Sequence, residues 1–216
     1  MPTLTVTITT PDELRLEGRL SVPVGPARGG VVVCHPHPRY GGTMSSSLVA
    51  AIWRELAARD WVALRFNFRG AGRSEGRYER GVGELKDVAA AFDLVASEAG
   101  KAPVAAVGWS FGALVALAGV VADERVGAYV GVAPPIVVSH EIDLPPLPPE
   151  ERLQTWRGRA LAVCGTEDPF CRPHALERWI AAIPGGRMQI FDGADHFFSE
   201  AKVELAQTVA DFLGDG

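Results

Sequence analysis

The sequence has little cysteine, no excess of positive charge and no long hydrophobic run. Its three cysteines, Cys34, Cys164 and Cys171, are an odd number for a disulfide framework and fit the reduced, buried thiols of a cytoplasmic protein. The net charge of −5 argues against a nucleic acid or an anionic membrane surface as partner. No apolar stretch approaches the roughly 20 residues of a membrane-spanning helix, and residues 1–6 lack the pattern of a signal peptide. We therefore expect a cytoplasmic protein that binds neither nucleic acid nor membrane.

The composition is that of a globular domain. Hydrophobic residues make up 47% and charged residues 22% of the 216 positions, which is ordinary for a globular chain. At this length a single domain buries about 70–75% of the surface that its unfolded chain exposes. We predict one domain over residues 1–216, present as a monomer or a homodimer.

Hydrophobic patterning predicts strands and helices that alternate along most of the chain. Two alternating segments, 4–8 and 14–20, are typical of an antiparallel hairpin. After residue 30, short continuous apolar runs, typical of strands covered on both faces, alternate with helical segments. The predicted strands are 31–34, 61–66, 104–107, 126–132, 160–164 and 188–191, and the predicted helices are 45–59, 84–99, 113–121, 174–183 and 203–213. This order predicts an α/β fold with a mostly parallel sheet and helices on both faces.

A Gly-Trp-Ser-Phe-Gly segment at 108–112 lies where a predicted strand ends and a predicted helix begins. A serine hydroxyl becomes a useful nucleophile when a sharp turn holds it clear of the backbone, between a base and oxyanion donors. The glycines two residues away on either side permit that turn because they are small. The five-residue pattern is typical of a nucleophile turn when, as here, a strand precedes it and a helix follows it. Ser110 is the predicted nucleophile.

Partners for Ser110 are expected after the last predicted strands, because functional loops gather at the carboxyl ends of parallel strands. Asp168 lies just past the strand that ends at residue 164, and His196 lies in the loop before the final helix. The imidazole would take the serine proton, and the carboxylate would hold the ring and stabilise the imidazolium. The chain order Ser, Asp, His is that of α/β-hydrolases. These three residues form the predicted catalytic triad.

Other histidines and aspartates are weaker candidates for these roles. His140 lies in a proline-rich stretch and His174 opens a helix, so neither follows a terminal strand. Asp195 is adjacent to His196, and consecutive side chains cannot easily turn on one another. Asp192 stays open as an alternative acid, and a turn or helix-capping role stays open for Asp168.

The segment 34–43, Cys-His-Pro-His-Pro-Arg-Tyr-Gly-Gly-Thr, directly follows a central predicted strand. Half of an oxyanion hole is expected at this place. Pro36 and Pro38 have no N–H to donate, which leaves the backbone amide of His37 beside that of Phe111. Removing one oxyanion donor typically costs about 3–4 kcal/mol of barrier stabilisation.

The histidine side chains of this segment allow a second interpretation, as metal ligands. The His35-x-His37 spacing has no carboxylate or thiolate partner within the motif. We therefore predict no metal site and expect both rings to brace the loop by hydrogen bonds. A glycine-rich segment at 65–74 does not have the spacing of a phosphate-binding P-loop, and we expect its Arg69 to tie the turn to neighbouring carbonyl groups.

With these motifs in place, the chain resembles the α/β-hydrolase superfamily over nearly its whole length. More narrowly, it resembles small bacterial serine hydrolases with an HPHP-x-x-GGT segment after the third strand and an RFNFRG-x-G-x-S segment after the fourth. Here these segments are 35–43 and 65–74. The resemblance implies an eight-stranded sheet with one antiparallel edge strand near the N-terminus, no cofactor, and ester substrates. Serine at position 110 argues against dienelactone hydrolases, which carry cysteine there, and against dehalogenases, which need aspartate.

A lid usually enters this superfamily after the sixth strand, where this chain has only a proline-rich excursion at 133–158. That excursion is too short for a helical cap domain, so the site should be open, and its role in the pocket or in an interface stays open. The aromatic residues expected at the border of the pocket, each of which also fits a core position, are Tyr40, Trp109, Trp156, Phe170 and Phe197. We expect short-chain acyl esters, cleaved with water through an acyl-enzyme. Amide, peptide or thioester hydrolysis, acyl transfer and non-catalytic binding are the alternatives.

Overall fold

The computed structural model describes residues 3–137 and 143–215, and an eight-stranded sheet forms its centre. The strands are β1 (Thr3–Thr9), β2 (Arg15–Ser21), β3 (Gly29–Cys34), β4 (Trp61–Phe66), β5 (Val104–Trp109), β6 (Val126–Val132), β7 (Arg159–Gly165) and β8 (Arg187–Phe191). Their spatial order is β1-β2-β4-β3-β5-β6-β7-β8. The predicted α/β-hydrolase fold, with its mostly parallel sheet and N-terminal hairpin, is confirmed.

The resemblance implied that the one antiparallel strand lies at the edge of the sheet, but the structure places it inside the edge. β2 runs antiparallel to both of its neighbours, β1 and β4, and lies one position inside the edge. The hairpin explains the difference, because its turn returns β1 to the outer side of β2. All pairs from β4 to β8 are parallel.

Helices cover both faces of the sheet. They are α1 (Ser47–Ala58), α2 (Val82–Ala99), α3 (Phe111–Val120), α4 (Glu150–Thr155), α5 (Pro173–Ile180) and α6 (Lys202–Gly214). One apolar cluster joins the sheet to α2, α3, α4 and α5, and a second joins the opposite face to α1 and α6. Along β3, Val31 and Val33 point into the second cluster while Val32 and Cys34 point into the first, because side chains alternate along a strand. No helix within the described residues is long and apolar enough to cross a membrane.

The excursion at 133–158 contains the helix α4, which the sequence analysis did not predict. α4 follows Pro149, and Glu150 and Glu151 lie in its first turn, where negative charge is favourable. Its buried Leu153 packs into the first apolar cluster. Six residues are too few to show a helical period, which is why the pattern did not indicate it. His140 lies outside the described residues.

Candidate active site

Ser110 lies in the sharp turn between β5 and α3. Its backbone has φ 55° and ψ −122°, a conformation that is costly for any residue with a side chain. Its amide donates to Val132 O at 2.8 Å, which ties the turn to the end of β6. The turn lifts the hydroxyl above the carboxyl edge of the sheet, as the strand-to-helix context predicts for a nucleophile.

The glycines on either side of Ser110 are required by close backbone packing. A Cβ on Gly112 would lie 2.5 Å from His35 O and 2.6 Å from Cys34 O. A Cβ on Gly108 would collide with the backbone of Gly112. Because these two residues have no Cβ, α3 can begin directly against the loop that follows β3.

The structure brings Ser110, His196 and Asp168 into one hydrogen-bonded chain. His196 Nε2 lies 3.1 Å from Ser110 Oγ, and His196 Nδ1 lies 2.8 Å from Asp168 Oδ2. The three residues are 8%, 8% and 1% exposed, in that order. An Nδ1–H that donates to the carboxylate leaves Nε2 as the acceptor for the serine proton. The arrangement can therefore generate an alkoxide and stabilise the resulting imidazolium.

Asp168 is positioned through its second oxygen. The backbone amides of Phe170 and Cys171 donate to Asp168 Oδ1 at 2.8 and 3.1 Å. The rival acid Asp192 lies elsewhere, since it is exposed and accepts from the Thr166 hydroxyl at 3.3 Å. The loop after β7 thus aims one carboxylate oxygen at His196 and satisfies the other.

Contacts of the residues around His196 hold the loop that carries it. Asp195 Oδ1 accepts from the amides of Phe197 and Ser199 at 3.1 and 2.9 Å, so its side chain caps the turn. The Trp109 indole donates to His196 O at 3.1 Å. Phe198, fully buried with φ 51°, anchors the loop in the core. These contacts fix the backbone from which the imidazole projects.

The amides of His37 and Phe111 lie on the two elements that meet at Ser110. Phe111 is the first residue of α3, and His37 precedes a short 3₁₀ turn, Pro38–Tyr40. Within the described residues, neither amide donates to an acceptor of the protein. Both N–H groups are therefore free of acceptors from the described part of the protein.

His35 links the loop after β3 to the loop after β4. Its Nδ1 donates to Pro36 O at 2.6 Å, and its Nε2 accepts from the amide of Phe68 at 3.0 Å. Complete burial lowers the pKa of His35 to about 4, so the ring stays neutral near pH 7. One ring thus satisfies two buried backbone groups of different loops.

The side chain of His37 braces the same loop against the excursion. Its Nδ1 accepts from Arg39 N at 3.2 Å, and its Nε2 donates to Asp143 O at 3.0 Å. The Tyr78 hydroxyl donates to the same carbonyl at 2.6 Å. Burial lowers the pKa of His37. Among the residues that the structure describes, no group of three or more His, Cys, Asp or Glu side chains could hold a metal ion.

A cavity of about 310 Å³ opens beside Ser110 and His196. Four of the five predicted border aromatics line it, together with two apolar residues that the sequence does not single out, Pro135 and Leu144. Its walls are Pro36, His37, Tyr40, Trp109, Pro135, Leu144, Phe170 and Phe197. Pro135 lies just after the end of β6, so the rule that functional residues follow the carboxyl ends of parallel strands could have indicated it. No sequence signal distinguishes Leu144 from the rest of the proline-rich tract.

Two expectations from the sequence disagree with the structure. Trp156 does not line the cavity: its indole donates to Val126 O at 3.1 Å, and its ring packs on the core. Arg69 does not bind carbonyl groups. Its guanidinium lies buried against the carboxylates of Asp87, Asp12 and Glu79, at 2.7, 3.0 and 3.1 Å. A buried guanidinium needs opposite charge more than neutral acceptors, which is the physical reason for the difference.

Comparison with known proteins assigns the family. Residues 25–162, well over half of the chain, match the serine aminopeptidase S33 hydrolases. The chain belongs to this family. An uncharacterized protein of Rickettsia prowazekii is 31% identical to this S33 hydrolase over 206 residues, which is 93% of this chain and 85% of that one.

Solved structures place this S33-family hydrolase in the α/β-hydrolase superfamily. An α/β serine hydrolase homologue from Coxiella burnetii is 28% identical, with a TM-score of 0.83 over 99% of this chain and 98% of that one. A putative α/β-hydrolase from Agrobacterium tumefaciens is 27% identical, with a TM-score of 0.82 over 97% and 94%. The predicted superfamily is therefore confirmed, and the protein is a hydrolase.

Proposed function

We propose that this hydrolase cleaves carboxylic esters through an acyl-enzyme on Ser110. The observation that carries the proposal is the hydrogen-bonded chain Ser110–His196–Asp168, which ends in an apolar cavity beside two amides available as donors. Serine attack needs this combination of nucleophile, base and oxyanion donors at one place.

The reaction proceeds in two halves. His196 Nε2 takes the proton of Ser110 as Oγ attacks the ester carbonyl, and the carbonyl oxygen accepts from the amides of His37 and Phe111. Asp168 stabilises the imidazolium, which then protonates the departing alkoxide. Water, activated by the same imidazole, attacks the acyl-enzyme and releases the acid.

The composition of the cavity favours an ester over a peptide with a free amino terminus. An aminopeptidase must bind the ammonium group of its substrate, and a carboxylate is the usual partner for a buried cation. No described lining residue contributes a carboxylate to the cavity. Asp168 is 1% exposed and lies behind the ring of His196. The remaining lining is aromatic or aliphatic, which suits an uncharged acyl group.

The test compares p-nitrophenyl acetate and butyrate with amino-acid p-nitroanilides. We expect ester hydrolysis, a loss of kcat on the order of 10⁶-fold in Ser110→Ala and about 10⁴-fold in Asp168→Asn. Ser97→Ala, at an exposed serine of α2, is the matched control. A fluorophosphonate probe should label the wild type and the control but not Ser110→Ala. Ester hydrolysis at equal rates in wild type and Ser110→Ala would refute the proposal, and faster turnover of the anilides would assign the protein to amide hydrolysis.

A further inference from the structure

A second cavity, of about 420 Å³, adjoins the one at Ser110. It lies between the excursion and the helices α3 and α5, and its lining is apolar except for Arg178. The lining residues are Leu114, Pro135, Ile136, Leu144, Pro145, Leu147, Ala175, Arg178 and Trp179. Pro135 and Leu144 line both cavities. These two side chains therefore form the partition between them.

Pro135 and Leu144, the two residues of the partition, differ in their burial. Pro135 is buried, and the backbone around it is tied down, since Ala133 N donates to Val163 O and Val137 N to Phe170 O. Leu144 is half-buried. Shortening the side chain of Leu144 is therefore the change that opens the partition with the least disturbance of the backbone.

The backbone on both sides of Leu144 is fixed independently of its side chain. Asp143 O accepts from His37 and from Tyr78, and the Asp143 carboxylate pairs with Arg80 at 2.8 Å. Pro145 is buried in close contact with Gly81. The leucine side chain is thus held at the partition by its neighbours, and a truncated side chain leaves these anchors in place.

Leu144, one half of the partition, adjoins the loop after β3 through its neighbour Asp143. The leaving oxygen must lie against His196 Nε2 to receive its proton, next to the rings of Phe170 and Phe197. Leu144 instead follows the carbonyl of Asp143, which is hydrogen-bonded to His37 on the loop after β3. An acyl chain that points away from His196 meets Leu144.

The geometry points to Leu144 as the residue that limits the length of the acyl chain, with the cavity behind it as an extension of the acyl-binding site. This inference rests on the proposed esterase function. In the wild type, methylenes beyond the partition stay in water and add nothing to the rate. With Leu144→Ala, each methylene that enters the second cavity raises kcat/KM about fourfold, from the transfer free energy of one buried CH₂.

The experiment measures kcat/KM on p-nitrophenyl acetate, butyrate and hexanoate, and on a parallel series of alkyl acetates. In Leu144→Ala the hexanoate-to-butyrate ratio should rise about 15-fold, from two added methylenes, whereas the alkyl acetate series keeps its wild-type profile. Leu147 lines only the second cavity and is 48% exposed, so Leu144→Ala combined with Leu147→Trp should fill that cavity and reverse the gain. Leu85→Ala, at the surface of α2, controls for general loosening, and thermal melts check that every variant is folded.

The outcomes separate the inference from the function beneath it. Three outcomes overturn the role of Leu144: an unchanged hexanoate-to-butyrate ratio in Leu144→Ala, a raised ratio that Leu147→Trp does not reverse, or a changed profile in the alkyl acetate series. In each case hydrolysis of p-nitrophenyl acetate would still support the esterase proposal. A wild type that already cleaves hexanoate as well as butyrate has the same effect. A wild type that does not cleave acetate overturns both.

Discussion

His35 should set the direction of one oxyanion donor without touching the substrate. The peptide plane that links Pro36 to His37 carries the carbonyl of the first and the N–H of the second, and in a trans peptide these point in opposite directions. Because His35 Nδ1 holds the Pro36 carbonyl at 2.6 Å, it also holds the N–H of His37 on the opposite side. If the carbonyl is released, the plane can rotate and the donor is lost for part of the time.

Two substitutions separate this role from a general role in stability. His35→Asn keeps a donor close to the position of Nδ1 but loses the acceptor for Phe68 N, whereas His35→Gln keeps an acceptor near Nε2 and loses the donor to Pro36. Each leaves one buried backbone group without its partner, at a cost of about 1–3 kcal/mol of unfolding free energy. A fully lost oxyanion donor costs about 3–4 kcal/mol. We therefore expect kcat to fall by up to about 10²–10³-fold in the glutamine variant and by less than about tenfold in the asparagine variant.

The assay measures kcat and KM on p-nitrophenyl acetate beside urea unfolding of the same samples. KM should change little, because the donor acts on charge that develops in the transition state. Equal losses of kcat in the two variants, or losses that follow their stabilities instead of the donor to Pro36, would refute the reasoning.

Three further outcomes are expected from the same structure. Gly112→Ala should abolish ester turnover or leave the protein insoluble, since the added Cβ would lie 2.5 Å from His35 O. An activity assay and circular dichroism check this, and an active, folded variant would contradict it. Arg69→Ala should lower the unfolding free energy by about 3–5 kcal/mol, because it leaves the buried carboxylate of Asp87 without its partner. Arg15→Ala, at an exposed ion pair, should leave the midpoint of the urea titration nearly unchanged. Burial lowers the pKa of His35 to about 4. Below about pH 6.5, His35 therefore binds a proton in the unfolded chain, while it stays neutral in the folded protein down to about pH 4. The unfolding free energy should therefore fall between pH 6.5 and 4 by up to about 1.4 kcal/mol per pH unit, and His35→Asn should show a shallower slope.

The sequence by itself determined the order of the strands and of every helix except α4, and the place of Ser110 between β5 and α3. Both depend on local properties: the period of apolar residues, and the small size of the residues at 108 and 112. The rule that loops gather at the carboxyl ends of parallel strands then singled out Asp168 and His196, which the structure brings into one hydrogen-bonded chain with the serine. Such inferences need only the direction of each strand.

Tertiary structure alone decided which side chains meet across the fold. Trp156 is an aromatic residue of the kind that lines pockets, but it packs on the core. Arg69 pairs with Asp12, which lies 57 positions away in the chain. Leu144 forms the partition between two cavities because its neighbour Asp143 is held by His37, more than a hundred positions earlier. These contacts depend on how a loop without periodic pattern settles on helices distant in sequence, and no local spacing encodes that placement.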